Sequence, residues 1–410
     1  MNKKQRQLRK GKENAAGEVP TPVVQGFKYV RLVRHLLARL PGVATERDRA
    51  GNRQLFYDHY ATLLLLYFFT PTVTSLRGLQ QLTTLAYVQR RWGVQYTALG
   101  SLSEAATVFE AALLQDVISE LALRAWMRAP QGNPALRKGD LAVLQDLVAL
   151  EGSLLPALPR MVWAVWQDEH QRAAKMHVAF AALRQVPGGV TVTAGHGSER
   201  HPARELVQPG GFYVFDRGSV DYELFADLQA LPCSFVARVK EDAAYEVAQE
   251  HSVSPAARAA GVTCDVRLRR LGSAHHRPCA VQPVRVVRVA TDKCPPDGTP
   301  VELVLVTNRL DLEADLIALA YRYRWTVELF FRWLKCILGC RHLLSQSENG
   351  VQLQVYMALI ASLLLSLWGG RAPTKRTYEL LCFYLSGWAS PTEVITHIDR
   401  LPLPAPLGKK

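Results

Sequence analysis

The sequence predicts an α/β fold with an all-helical N-terminal part and a β-rich insertion, and three observations predict it. Apolar residues recur at three- and four-residue spacing through residues 26–129, the period of a helix. From residue 141 onward, short runs rich in Val, Phe and Leu stop at glycine-containing turns, the pattern of strands. Late in the chain Tyr321–Lys335, free of Gly and Pro, returns to a helical reading. With 410 residues the chain exceeds what one hydrophobic core usually serves, and its apolar fraction of 49% is that of a folded globular protein.

Taken in order, residues 1–25 form a tail whose start is crowded by Lys3, Lys4, Arg6, Arg9, Lys10 and Lys12, too polar to bury a core and expected to be disordered. Residues 26–135 are expected to form a separate helical domain, with helices at Val30–Leu40, Tyr57–Phe69, Leu76–Trp92 and Ser103–Met127. Ser101 and Ser103 are its last N-cap candidates. Arg77, Arg90 and Arg91 make one helix basic, which suits duplex DNA as well as simple packing. Pro130–Pro134 is a linker.

Residues 140–240 and 311–350 are expected to form one discontinuous catalytic domain. Leu141–Leu150, Lys175–Leu183, Val190–Thr193, Phe212–Phe215 and Ser234–Val239 are its strands, with a helix at Tyr222–Leu231. Leu141–Leu150 ends at Glu151-Gly152-Ser153 and Phe212–Phe215 at Asp216-Arg217-Gly218, so two strands end in a carboxylate. Strand ends are where a mixed sheet presents its chemistry. Residues 241–310 are the β-rich insertion, with strands at Cys264–Leu271, Pro283–Thr291 and Val301–Asn308 and a turn at Cys294–Gly298. Residues 351–410 are C-terminal helices ending in a Pro-rich stretch.

Charge and cysteines narrow the partner classes. A formal net charge of +13 calls for a polyanion, nucleic acid or a membrane surface. The seven cysteines are odd in number and include no C-x-x-C pair; with no signal peptide evident this reads as a reducing, cytoplasmic setting. Cys336, Cys340 and His342 lie close together but lack a fourth zinc ligand, so buried thiols are the simpler reading. The apolar runs Tyr60 to Phe69 and Tyr356 to Trp368 fall short of the ~20 residues a bilayer helix needs, and read as buried helices.

The chemistry is concentrated in Tyr321–Lys335. At ~100° per residue, Tyr321, Arg324, Glu328 and Lys335 fall within ~60° of one another, with Arg332 beside them. The rest of the circumference is largely Trp325, Val327, Leu329, Phe330, Phe331, Trp333 and Leu334. One carboxylate in a narrow stripe of cations, on a helix apolar enough to be buried, is either an ion-pair ladder or an acidic metal ligand flanked by phosphate-binding groups. Glu151, Asp216 and Glu328 together could hold two divalent ions, which need shared carboxylate ligands.

The spacing of Tyr321, Arg324, Glu328 and Lys335 resembles, at every interval, the signature of the insertion-sequence-four family of bacterial DDE transposases. Phe212–Tyr222 resembles that family's second acidic motif, Phe235–Lys240 the strand after it, and Ala173–His177 the strand between the first two acids. The likeness covers roughly residues 140–345. It implies a ribonuclease-H-like mixed sheet, interrupted by the insertion between the second and third acids. It also implies metal-dependent cleavage at transposon ends, followed by strand transfer into target DNA. Two Mg2+ or Mn2+ ions would be held by Glu151, Asp216 and Glu328. Tyr321, Arg324 and Lys335 would bind phosphates, joined as DNA-contacting candidates by Trp325, Arg332, Lys175 and Lys240. The implied partners are double-stranded DNA, both end repeats and target, and a second copy of the chain on paired ends, with no membrane and no small-molecule substrate. The implied location is the bacterial cytoplasm, at the nucleoid.

One departure stands out. The family's first acid is Asp in an Asp-Gly-Ser or Asp-Gly-Thr setting, and here it is Glu151. A displacement of ~1 Å at a catalytic group can cost a hundredfold in rate. The alternative is therefore a catalytically impaired or repurposed DNA-binding copy; a stand-alone nuclease with the same core is a third reading. Asp146 is five residues out of register. Residues 241–310 hold no tryptophan for stacking a flipped base, which leaves Trp325, or a core role for it.

Overall fold

The computed structural model describes residues 35–37, 55–130, 136–157, 160–165, 172–197, 200–219, 222–272, 283–291 and 301–401. The basic tail, most of Val30–Leu40, the linker beyond Pro130 and the Cys294–Gly298 turn lie outside the described residues.

The sheet places the site. Its strands are β1 (Leu147–Pro156), β2 (Ala173–Ala181), β3 (Val186–Ala194), β4 (Phe212–Phe215), β5 (Ser234–Val239), β6 (Tyr245–Glu250), β7 (Val262–Leu271), β8 (Arg285–Ala290) and β9 (Glu302–Thr307). They form one nine-stranded sheet in the order β3-β2-β1-β4-β5-β9-β8-β7-β6. β1 runs antiparallel to β2 and β2 to β3, whereas β1, β4 and β5 run parallel. This is the ribonuclease-H-like arrangement. The insertion does not fold apart from it: β9 pairs antiparallel with β5, so β6–β9 extend the same sheet. β6 is a mostly exposed edge strand with two register shifts, and only Tyr245 and Val247 give it alternation, too short a signal to read as a strand.

Each face of the sheet has its own apolar layer. One side chain set, including Leu147 and Ala149 of β1 and Phe212 and Val214 of β4, packs with the late helices. The alternate set, Leu150, Tyr213, Phe215 and Phe235, packs beneath α7 (Arg200–Leu206) and α8 (Tyr222–Ala230), with Phe225 stacked on Phe235 at 4.6 Å between ring centroids. That division follows from the two-residue period of a strand. A short helix, α9 (Pro255–Ala259), joins β6 to β7 and is capped by the Ser254 hydroxyl.

The N-terminal helices are α1 (Tyr57–Phe68), α2 (Leu76–Leu82), α3 (Ala86–Trp92), α4 (Leu99–Val108) and α5 (Leu114–Arg128). The single helix expected over Leu76–Trp92 is two, because after Thr83 the ladder tightens into three-residue turns, Thr84 N–H on the Gln81 carbonyl and Leu85 N–H on the Leu82 carbonyl. The Thr83 hydroxyl donates to the Gln80 carbonyl and accepts from the Thr97 N–H, a local competitor to helix. α4 begins at Leu99, so Ser101 and Ser103 lie inside it and cap nothing. Leu114, Val117, Ile118, Leu121, Ala122 and Ala125 give α5 one buried stripe.

These helices do not form a separately cored domain. Their buried residues share one apolar core with the sheet and with α12 (Glu348–Gly369). Being apolar almost all round, α12 needs partners on every side. It is long and apolar enough to cross a membrane by length and composition, yet 94% of its most apolar window is buried inside the protein. Asn349 fastens its start, accepting from Ala111 N–H and donating to the Ala106 and Phe109 carbonyls. α13 (Lys375–Leu385) and α14 (Pro391–Asp399) follow, the latter opened by a Ser390/Glu393 capping box.

Helix α6 (Lys138–Leu144) takes the first half of the expected strand Leu141–Leu150. β1 therefore starts at Leu147 and carries Glu151 in its middle, not at its end, opposite Val178 of β2. Asp146 sits exposed in the turn before β1, five residues and so roughly 16 Å of strand from Glu151.

Candidate active site

Register brings the first two acids together. The parallel pairing of β1 with β4 ends at Leu150–Phe215, and Glu151 and Asp216 are the next residue on each strand. Both share the alternation of Ala149 and Val214, so both face the late helices.

The third acid arrives on a helix with two irregularities. α10 (Ala314–Tyr323) and α11 (Trp325–Arg332) meet at Arg324, where the Arg324 N–H bonds the Tyr321 carbonyl and the Val327 N–H bonds the Arg324 carbonyl in tightened turns. After α11 the turn Trp333–Ile337 widens into a π-helix, with Leu338 N–H bonded to the Trp333 carbonyl. Such departures from α geometry concentrate at functional sites. Phe330 of α11 stacks on Phe180 of β2 at 4.9 Å, fixing the helix across the sheet. Farther along, Gln354 of α12 donates to the His342 carbonyl and accepts from Leu344 N–H, pinning the segment after the π-turn.

One guanidinium gathers all three carboxylates. Arg324 Nη1 lies 2.5 Å from Glu151 Oε2 and 3.4 Å from Glu328 Oε1, and its Nη2 lies 3.9 Å from Asp216 Oδ2. Asp216 Oδ1 also accepts from the Tyr321 hydroxyl at 3.0 Å and from Arg217 N–H at 2.8 Å, with Arg238 at 3.8 Å. Lys335 Nζ donates to Ser153 Oγ at 2.9 Å, two residues beyond Glu151 and on the same face of β1.

The electrostatics follow from that crowd. Burial would raise the Asp216 carboxyl, but Arg324, the Arg217 N–H, Tyr321 and Arg238 outweigh it and hold it below the usual carboxylate range. Burial, reinforced by the Asp216 charge, pushes the Tyr321 phenol up to about 12. Burial alone would lower the Arg324 guanidinium, but Glu151, Tyr321 and Asp216 outweigh it, so it stays charged.

The sequence-predicted residues divide accordingly. Glu151, Asp216, Glu328, Tyr321, Arg324 and Lys335 come together. Trp325 is 44% exposed beside them, which overturns the core reading, and Leu329 one turn on is exposed as well. Arg332 is exposed at the end of α11. Lys240 is exposed just past β5, on the same alternation as Arg238. Lys175 lies apart from the acid cluster. It pairs with Leu154 of β1 and alternates with Met176 and Val178, so it lies on the sheet face opposite Glu151. Two site residues were missed, Arg238 and Ser153. Both lie inside motifs that drew notice for their acids, and two-residue alternation from Glu151 and from Val236 would have found them.

The donor set suits hard divalent cations in kind: three carboxylates, with hydroxyls nearby. As the side chains stand, no group of three His, Cys, Asp or Glu among the described residues is close enough to hold a metal ion. The Arg324 guanidinium lies between the acids, with Arg238 also beside Asp216.

Residues 144–364 match the family model described as a transposase DDE domain. This chain belongs to the DDE transposases. It is 28% identical over 197 residues to a protein described as a transposase, y4zB, of Sinorhizobium fredii, covering 48% of this chain and 53% of that one. It is 28% identical over 225 residues to a transposase for insertion sequence element IS5377 of Geobacillus stearothermophilus, covering 55% and 56%. It is 24% identical over 246 residues to one for element IS4SA of Synechocystis, covering 57% and 62%. The alignments thus span about half to three-fifths of these relatives. A piggyBac transposase synaptic complex with hairpin DNA aligns over 95% of this transposase and 87% of that chain at TM-score 0.43 and 11% identity, and the fold assignment rests on strand order instead.

Proposed function

We propose that this chain cleaves DNA at transposon ends and joins the freed 3′ ends to target DNA. The observation that carries the reading is the convergence of Glu151, Asp216 and Glu328, from β1, the end of β4 and α11, on one guanidinium. Two Mg2+ or Mn2+ ions held by these carboxylates would supply a hydroxide nucleophile and a charge sink for the leaving 3′ oxygen. Tyr321, Arg324, Arg238 and Lys335 line the same face and suit phosphate oxygens, fixing the backbone without reading sequence. Exposed Trp325 and Leu329 offer an apolar platform one turn long beside Glu328, where an unpaired base would stack.

Outside the acids, a second surface suits duplex DNA. No Asp or Glu occurs between Asp58 and Glu104. There α3 exposes Tyr87, Arg90 and Arg91, next to exposed Phe383 and Trp388. Arg91 lies 5.4 Å over the Tyr384 ring, which ties α3 to α13. Cations interleaved with aromatics fit a polyanion better than a second protein copy. A dimer on paired ends completes the reading. Neither the family match nor the geometry favours a copy reduced to DNA binding.

Glu328→Gln tests the assignment. Removing one metal-ligating charge should lower cleavage of a transposon-end duplex by at least about a hundredfold, with gel-shift affinity retained. Undiminished cleavage refutes the reading. Joined target products separate a transposase from a plain nuclease.

A further inference from the structure

Arg324 stands in an unusual position for a phosphate-binding group. It is buried, and three carboxylates share its charge. Its Nε is buried with no hydrogen-bond partner, so the pose satisfies charge without satisfying every donor. The shortest contact is to Glu151, the residue that departs from Asp and whose side chain is one methylene longer. A guanidinium there and divalent ions on the same oxygens exclude one another by charge and by space.

We propose that Arg324 is a built-in counter-ion that keeps metal out of the acid cluster until DNA is bound. A phosphate of the bound duplex draws the guanidinium away from Glu151 and frees the three carboxylates for divalent ions. Metal and DNA then favour each other's binding, reciprocally, as linked ligands must. The chain holds a full acid set yet is disarmed when off its DNA, which limits stray cutting. This rests on the metal-site reading above, but its failure is separable. Loss of cleavage in Glu328→Gln with metal binding indifferent to DNA would refute the counter-ion role alone.

The measurement is Mn2+ binding to the full-length chain, read from the free-ion electron paramagnetic resonance signal, with and without a short end duplex whose own binding is subtracted. The wild type should gain about tenfold in Mn2+ affinity on adding duplex, within the usual range for coupled sites. Glu151→Asp keeps the ligand but shortens its reach to Arg324, so it should bind Mn2+ more tightly than the wild type without DNA and gain less from duplex. Arg324→Gln should behave likewise if it folds. Equal wild-type affinity with and without duplex overturns the proposal, as does a Glu151→Asp chain that binds Mn2+ no better than wild type. A duplex-dependent gain undiminished in Arg324→Gln also overturns it, because phosphate ligation of the ion would then explain the gain.

Discussion

Two buried arginines in this transposase meet carboxylates, and they do so in opposite ways. In the insertion, Arg285 of β8 is matched one to one with Asp265 of β7: Nε and Nη2 reach the two carboxylate oxygens at 2.6 and 2.5 Å, and Nη1 donates to the Leu312 carbonyl at 2.6 Å. All three nitrogens are used, and the side chains are 9% and 5% exposed. At the site, Arg324 is shared among three acids, and its Nε has no partner. Arg238 also stands beside Asp216 and Lys335 beside Glu151 on Ser153, so here the cations are shared among the acids instead of matched one to one. A balanced, fully bonded pair needs nothing further, and this one clamps the start of the segment leading into α10. A cluster in which cations are shared among several acids can exchange one partner for another without losing every contact. The difference between a structural and a functional ion pair is therefore legible in stoichiometry and donor satisfaction, more than in burial.

Breaking the balanced pair should have the largest effect on stability. Asp265→Ala leaves Arg285 charged and unpaired in the interior, which costs about 3–5 kcal/mol, measured as a drop in the denaturant midpoint. At the site the effect should be small. Glu328→Gln removes one of the carboxylates around Arg324 at a side chain 38% exposed, and the metal-free chain should change by less than about 1 kcal/mol. A loss as large as that of Asp265→Ala would erase the distinction drawn between the two clusters.

A divalent ion sharpens the comparison next. At an ion concentration a hundred times its dissociation constant, binding adds about 2.7 kcal/mol. In the presence of duplex DNA, Mn2+ should therefore raise the melting temperature of the wild type and leave Glu328→Gln nearly unmoved. The smallest effect belongs to Arg288 and Glu302, a pair on β8 and β9 about a third exposed at 3.4 Å. A double-mutant cycle there should return under about 1 kcal/mol; a coupling as large as that of Asp265 with Arg285 would mean that exposure does not set the scale.

Much of the architecture was legible beforehand. β5 was bounded correctly, β2, β7, β8 and β9 to within a few residues, and the insertion fell between the second and third acids. The misses have local causes. Leu141–Leu150 is apolar throughout, and such a run does not tell helix from strand, so α6 was absorbed into β1 and Glu151 was placed at a strand end. The apolar spacing of the N-terminal helices reads as a helical domain, but their buried residues share one core with α12, more than two hundred residues away in sequence. The motif around Lys175 does not reveal its face; the alternation of β2 sets it on the side of the sheet opposite Glu151.

What the sequence determined by itself is the chemical inventory: three acids, their cations, and the spacing of Tyr321, Arg324, Glu328 and Lys335 on one helical stripe. Local periodicity carries that much, because which residues share a helix face or a strand face depends only on neighbours in the chain. The parallel register that seats Glu151 beside Asp216, and the packing of Phe330 on Phe180 that lays Glu328 across them, were decided only by the tertiary structure. So was the place of Arg324 among the acids, because a charge's partners are set by distances across the fold that no spacing along the chain encodes.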